Sequence, residues 1–272
     1  MKNEEKIGVV KKLSEKQKTE IQGLEKKLYL AQGLRYKIDP QIYGEQDGKY
    51  DFFLAYQKND LVGCIVLASF DADVPEATPL LTDESVFTQL LNHVINVLKE
   101  RGGKNFLMIL NQGDLLLREL ALKNEFREKF VEHRMFLSPS KFLYSPENPV
   151  MLRAVAKQDI AALAALNEGE EPILEADLES FSVAIIDGEV VGRIRVEKAE
   201  NLYGIYGFTV RKDLRGKGIG RKIICQSIAQ LPGKAYGNVY LEVAGDNAAA
   251  LHLYDTVGFE IQSTFCYFSR TL

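Results

Sequence analysis

Tryptophan is absent from the 272 residues, and cysteine and histidine occur only three times each. Cys64, Cys225 and Cys266 lie far apart, form no CxxC pair and have no histidine nearby. That excludes a disulfide framework and a structural zinc site, and no metal is expected. No apolar run approaches the ~20 residues of a membrane span; the longest, around Ile160 to Leu166, reads as one short helix face. The opening MKNEEKIGVVKK lacks the apolar core of a signal peptide, so a cytoplasmic location is expected and no membrane partner. Neither sign of charge dominates: 34 Lys/Arg stand against 38 Asp/Glu, which argues against a general nucleic-acid surface. What remains is an ordinary soluble composition, 46% hydrophobic and 26% charged, able to bury a core without staples. The length suits one large domain or two of about 130 residues.

The chain breaks near its middle. Residues 138–149 read SPSKFLYSPENP, where three prolines and three serines separate two periodic regions. The domains expected are therefore 1–145 and 146–272. Residues 1–40 hold ten Lys/Arg against six Asp/Glu, mostly on a helical pattern from Ser14 to Leu34, read as a solvated amphipathic helix. In the second half, Val150–Val155 is expected as a strand and Asp159 as the cap of a helix over Ile160–Asn167. Strands follow at Phe181–Ile186 and Val190–Glu197, joined by a two-residue turn at Asp187-Gly188. Further strands are expected at Leu202–Val210, Asn238–Val243 and Phe259–Leu272, with helices at Gly218–Leu231 and Asn247–Val257. The class is mixed α/β with hairpins, not a regular βαβ series.

The halves resemble each other. DFFLAYQKNDLVGCIVL (51–67) parallels SFSVAIIDGEVVGRIRV (180–196), setting Ala55, Val62 and Gly63 against Ala184, Val191 and Gly192. FLMILNQGDLLLRELALKNEF (106–126) matches VYLEVAGDNAAALHLYDTVGF (239–259) in length and pattern. Between these blocks the copies diverge. The second holds VRKDLRGKGIGRK; the first holds DADVPEATPLLTDES, without a glycine.

Arg215-Gly216-Lys217-Gly218-Ile219-Gly220 follows a strand and opens a helix. Glycines let successive N–H groups converge, and a helix N-terminus adds positive potential, which suits a pyrophosphate. Lys212 and Arg221 add charge nearby. A tight capping turn with solvated basic residues is the plainer alternative. The P-loop string GxxxxGK[ST] does not occur. A dinucleotide fingerprint fits poorly, because the spacing is GxGxG, RKDLR separates strand from loop, and the acid Glu242 falls inside a strand.

YGFTVRKDLRGKGIGRKII is similar to motif A of the GCN5-related N-acetyltransferases (GNAT), with Arg215, Gly218 and Gly220 filling its pattern. LEVAGDNAAALHLYDTVGF resembles the family's motif B. The resemblance covers about 150–272 directly and the first half only through the repeat. It implies a mostly antiparallel central sheet flanked by helices, and two tandem GNAT-like domains of which the first is degenerate and non-catalytic. It implies acetyl-CoA as co-substrate and transfer of its acetyl group to a primary amine. The pyrophosphate would rest on Arg215, Gly216, Lys217, Gly218, Ile219, Gly220 and Arg221, with Asn247 touching the cofactor. The backbone of Phe208 and Val210 would pair with the pantetheine arm where two central strands part.

An amine of pKa ~10 must lose a proton before it attacks, and a departing CoA thiolate, of thiol pKa ~8.5, needs one. By the resemblance Tyr254 is the proton donor to sulfur; the alternative is a helix residue packed on the sheet. Glu242 is the base candidate, as the polar residue between Leu241 and Val243; the alternative is a solvated strand face. Tyr206 is placed to line the acceptor pocket or relay a proton through water. His93, His133 and His252 are read as structural or exposed. The acid-rich stretch with Glu168, Glu170, Glu171, Glu175, Asp177 and Glu179 either favours a cationic acceptor, a small-molecule or peptide amine, or is a solvated loop. A non-catalytic acyl-CoA-sensing or partner-binding module is the alternative function.

Overall fold

The computed structural model describes residues 5–38, 40–44, 48–71, 73–144, 149–166, 180–199, 201–234 and 236–272. The chain forms two compact units, one of residues 1–132 with 263–272, the other of residues 133–262. The architecture is mixed α/β, as the sequence pattern implies, with the mostly antiparallel pairing that the family resemblance implies.

In the first unit the elements are β1 (Glu5–Val10), α1 (Glu15–Gln32), β2 (Tyr50–Gln57), β3 (Asp60–Ala68), β4 (Glu76–Leu81), α2 (Phe87–Glu100), β5 (Asn105–Asn111), α3 (Leu115–Lys123) and the start of β6 (Arg127–Leu137). Ser14 caps α1 through a capping box with Gln17, and Ile21, Leu24 and Leu28 are the buried stripe of that charged helix. Strands run β1-β2-β3-β4-β5, and the end of the chain adds β12 (Phe259–Thr271) beside β5, antiparallel from Phe265↔Asn111 to Thr271↔Asn105. The pairs β1-β2, β2-β3 and β3-β4 are antiparallel, and β4 and β5 are parallel. Phe52, Phe53, Phe87, Phe106 and Phe126 fill the core.

The second unit holds β7 (Met151–Ala154), α4 (Ile160–Leu166), β8 (Phe181–Ile186), β9 (Glu189–Ala199), β10 (Leu202–Val210), α5 (Ile219–Ala229), β11 (Val239–Ala244) and α6 (Ala248–Val257). Its strand order is β7-β8-β9-β10-β11-β6, with β10 and β11 parallel. One face packs under α5 and α6 through Ile205, Leu241, Ile223, Ile224 and Val257. On the other, Leu163 and Leu166 of α4 cover Val183 and Ile185.

The parallel between 51–67 and 180–196 extends to backbone geometry. Lys58-Asn59 and Asp187-Gly188 both have positive φ, the turn that matches strand twist. Each hairpin slips register just after an equivalent pair, Ala55↔Gly63 and Ala184↔Gly192. Asp114 caps α3 as Asn247 caps α6, each accepting from the amide three residues on.

Two expectations are corrected. The strand expected over Val150–Val155 is confined to Met151–Ala154. Asp159 does not cap α4. Its buried carboxylate accepts from Arg153 Nη1 (2.5 Å) and Nη2 (2.8 Å) and from the Ala156 N–H (2.8 Å), fastening the turn before the helix to β7. The Arg153 hydrogen bonds, against the opposing effect of burial, hold this carboxyl below its usual range. A depressed carboxyl contributes stability that is full above the unfolded pKa of ~3.9 and lost as pH falls through the folded value. Asp159→Asn should therefore lower Tm by a few degrees at pH 7, with the gap to wild type narrowing below pH ~4. Melts showing the same gap at pH 7 and pH 3 would contradict this.

Candidate functional site

Strand β10 is deformed where the site forms. Its ladder with β9 runs to Tyr206↔Arg195 and resumes at Thr209↔Arg193, so β10 carries one extra residue as a bulge at Gly207 and Phe208. Gly207 has φ +52°, and a Cβ there would stand 2.6 Å from the Phe181 ring. Buried Arg193 holds the bulge, donating from Nε to the Gly207 carbonyl at 3.1 Å. On its other edge β10 pairs with β11 from Tyr203↔Val239 as far as Ile205↔Leu241. Beyond that pair the strands run on, to Val210 and Ala244, without pairing to each other. The gap exposes β10 backbone around Phe208 to a ligand, while the Val210 carbonyl accepts from Arg215 Nε at 2.9 Å.

At the end of β10 the chain turns through Arg215-Gly216-Lys217-Gly218 into α5. Gly216 and Gly218 have φ +73° and +77°, with open space where a Cβ would be. Gly218 is the N-cap and no side-chain oxygen caps the helix. The first-turn amides of Ile219, Gly220 and Arg221 therefore lack intrahelical acceptors and face outward with the positive end of the helix. Lys212, Arg215, Lys217 and Arg221 are exposed around this turn. Gly220 serves packing instead: a Cβ would meet Leu253 Cδ2 at 3.2 Å and Phe208 Cζ at 3.4 Å.

Helix α6 starts at Asn247, whose Oδ1 accepts from the Ala250 N–H at 3.1 Å. Tyr254 is buried, its ring edge-on to Phe259 with centroids 6.0 Å apart. Burial alone pushes its phenol up to about 12, and among the described residues its Oη has no hydrogen-bond partner. The hydroxyl is protonated at neutral pH and unspent on the protein.

Glu242 and Tyr206 occupy the opposite face of the sheet. Along β11, Val239, Leu241 and Val243 are buried toward α5 and α6, whereas Tyr240 and Glu242 are half-buried on the α4 side. Glu242 is paired with Arg134 of β6. Tyr206 Oη and Tyr240 Oη are 2.5 Å apart, and burial together with Tyr240 pushes the Tyr206 phenol well up. His93 and His252 are exposed, and His133 is half-buried. The acidic stretch from Glu168 through Glu170, Glu171, Glu175, Asp177 and Glu179 lies outside the described residues.

Sequence reasoning missed Arg134, Tyr240, Arg193 and the bulge glycine Gly207. Two signals pointed to the bulge: glycines inside a strand, as in LYGIYGFTV, mark bulges or close approaches, and Arg193 follows an apolar run, Val190-Val191-Gly192. Nothing local pointed to Arg134, which precedes the proline-rich break.

Residues 124–259 match the acetyltransferase (GNAT) family. The chain is 26% identical over 245 residues to a mycothiol acetyltransferase of Streptomyces coelicolor, covering 80% of this chain and 79% of that protein. It is 38% identical over 66 residues to a mycothiol acetyltransferase of Rhodococcus opacus, a match spanning 24% of this chain and 22% of that protein. In fold it is similar to a GCN5-related N-acetyltransferase from Sphaerobacter thermophilus, with a TM-score of 0.78 at 15% identity over 97% of this chain and 95% of that one. It is also similar in fold to a tandem GNAT protein from the clavulanic acid biosynthesis pathway, with a TM-score of 0.69 at 13% identity over 98% of both chains. With the family match spanning half its length, including the glycine turn and Tyr254, the chain belongs to the GNAT acetyltransferase family and is an enzyme of N-acetyl transfer.

Proposed function

We propose that residues 133–262 transfer the acetyl group of acetyl-CoA to a primary amine. The observation that carries this is the opening of β10 from β11 beside an uncapped, glycine-turned helix N-terminus. The residues present suit the co-substrate. Gly216, Gly218 and the first-turn amides of α5 would take the pyrophosphate, with Lys217 and Arg221 adding charge, and the bulged backbone near Phe208 would take the pantetheine arm. Asn247 would meet the same ligand while capping α6. The thioester supplies the activated acetyl group. Tyr254 gives the leaving sulfur its proton. Glu242, paired with Arg134, takes the proton the ammonium must lose, directly or through the Tyr206 hydroxyl.

The shared turns, register slips and caps support descent of both units from one duplicated domain, the first degenerate. Counting by the aligned hairpins, Thr78 to Leu81 spans one residue fewer than Tyr206 to Val210, so the first copy has no bulge. It has Ala121 where the second has Tyr254.

Thiol release from acetyl-CoA across a panel of amines tests the function. The panel should include the acceptor of the mycothiol acetyltransferases to which the chain is similar, together with cationic amines and peptide N-termini. Turnover of at least one amine is expected. Tight CoA binding with every amine refused would favour an acyl-CoA sensor.

A further inference from the structure

Arg134 sits on β6, ahead of the proline-rich break, yet β6 lies beside β11 in the second unit. Its Nε donates to Glu242 Oε1 at 2.9 Å, and its Nη2 forms an ion pair with the same oxygen at 2.8 Å. Its guanidinium stands 5.7 Å over the Tyr240 ring. Phe136, two residues on along β6, stacks on the same ring at 5.6 Å. Tyr240 meets Tyr206, whose ring lies back across Gly204; a Cβ at Gly204 would come within 2.5 Å of it. Arg195 of β9 stands 5.3 Å over Tyr206 and within 3.4 Å of Glu197. Among the described residues, the charged and titratable groups around Glu242 include Arg134 from β6, Tyr206 from β10 and Tyr240 on its own strand, with Arg195 and Glu197 behind Tyr206.

We propose that Arg134 is a positioning residue for acetyl transfer, holding Glu242 ionised and in one orientation where β10 and β11 part. This rests on the acetyltransferase reading above. Half-buried, a carboxylate would otherwise gain affinity for its proton and swing freely; a guanidinium with two nitrogens converging on Oε1 opposes both. Protons balance as follows. One leaves the ammonium for Glu242 and passes to solvent. The second, on nitrogen after the new C–N bond forms and as the C–S bond breaks, restores the phenol that has protonated sulfur.

The test uses the full chain with Arg134→Gln and Arg134→Lys. Arg134→Gln should lower kcat about 10- to 100-fold and move the acidic limb of the pH–rate profile up by about one unit, with acetyl-CoA affinity unchanged. Arg134→Lys keeps the cation without the fork, so it should restore the limb and only part of kcat. Carbon-13 NMR of the Glu242 carboxyl, titrated in each variant, separates the layers. A moved NMR titration with an unmoved rate limb would show that Glu242 is not the base, and both readings of it fall. An unmoved NMR titration would overturn the positioning role alone. Wild-type chain that turns over no amine would remove the acetyltransferase reading and this proposal with it.

A second inference rests on the first unit. There β4 and β5 pair only at Glu76↔Leu107 and Ala77↔Met108, then part as β10 and β11 do. The stretch after α1 spans this gap. Thr78 Oγ1 on β4 donates to the Lys37 carbonyl (3.2 Å), and Asn111 Nδ2 on β5 donates to the Arg35 carbonyl (2.8 Å). Between them Tyr36, buried, donates to Asp114 Oδ2 (2.8 Å) at the cap of α3. Leu34 packs against Gly113 so closely that a Cβ there would meet it at 2.8 Å. We infer that residues 34–38 are a resident occupant of this gap, held by side chains in place of a strand ladder.

Both flanking bonds, after Arg35 and Lys37, are trypsin sites. In the native full chain they should resist cleavage, and Thr78→Val with Asn111→Ala should speed cutting there at least about tenfold. Hydrogen exchange with and without CoA should show protection around 206–221 and none at 33–38 or 105–117. Equal trypsin rates in wild type and variant, or CoA protection of the first unit, would overturn the inference. Absence of any CoA effect would count against the acetyltransferase reading, while the trypsin comparison would still decide this one.

Discussion

Gly218→Asp is expected to abolish acetyl-CoA binding while the chain stays folded. Gly218 has φ +77° with open space around it, so the side chain meets no clash, only the strain of a left-handed backbone, about 1–3 kcal/mol. The larger effect is electrostatic. The new carboxylate would lie against the first-turn amides of α5 and satisfy the donors a pyrophosphate needs. It would also repel that ligand by about 4 kcal/mol per unit-charge pair at ~4 Å near a protein surface, roughly a thousandfold in affinity. Gly218→Ala separates the two contributions, because it carries the strain without the charge and should lose far less. Isothermal titration of the full chain decides the matter. Unchanged affinity in the Asp variant would remove the pyrophosphate assignment.

How much of this was legible in the sequence depends on how local the cause was. Hairpin turns are local: Asp187-Gly188 was read from two residues, and the structure gives both a positive φ. So are helix caps such as Asn247, where one side chain reaches an amide three residues on. Strands β8 and β10 fall at the expected residues because alternation and flanking turns fix them. Asp159 shows the limit. An acid before a helix reads as a cap, but Arg153, six residues back, claims the carboxylate first. Partnership across the sheet was not legible at all. Whether β12 lies beside β5, or β6 beside β11, depends on contacts more than a hundred residues apart, and a strand's own pattern shows only which face is apolar. Glu242 was therefore identified without Arg134. Tyr206 was identified without Tyr240, whose register opposite Gly204 is set by three ladder pairs between β10 and β11.

Tyr254→Phe is expected to lower kcat about 100- to 10,000-fold, the usual contribution of a positioned general acid, with acetyl-CoA affinity nearly unchanged. The ring keeps its edge-on packing against Phe259. Since the Oη has no hydrogen-bond partner among the described residues, its loss breaks nothing inside the fold. Tm should be unchanged or slightly higher, because a buried hydroxyl loses its desolvation cost with its removal. The raised pKa of about 12 also shapes the pH dependence. Only the protonated phenol donates, and it stays protonated through the range in which the enzyme is assayed. The basic limb of the wild-type profile should therefore not come from Tyr254, and Tyr254→Phe should lower the whole profile without moving either limb. A thiolate of conjugate pKa ~8.5 is the weaker base, so its lone hydrogen bond to the phenol must form while the C–S bond is breaking, and the effect belongs to kcat rather than to binding. Single-turnover rates with saturating acetyl-CoA measure this directly. Turnover within about threefold of wild type would assign the proton to water instead.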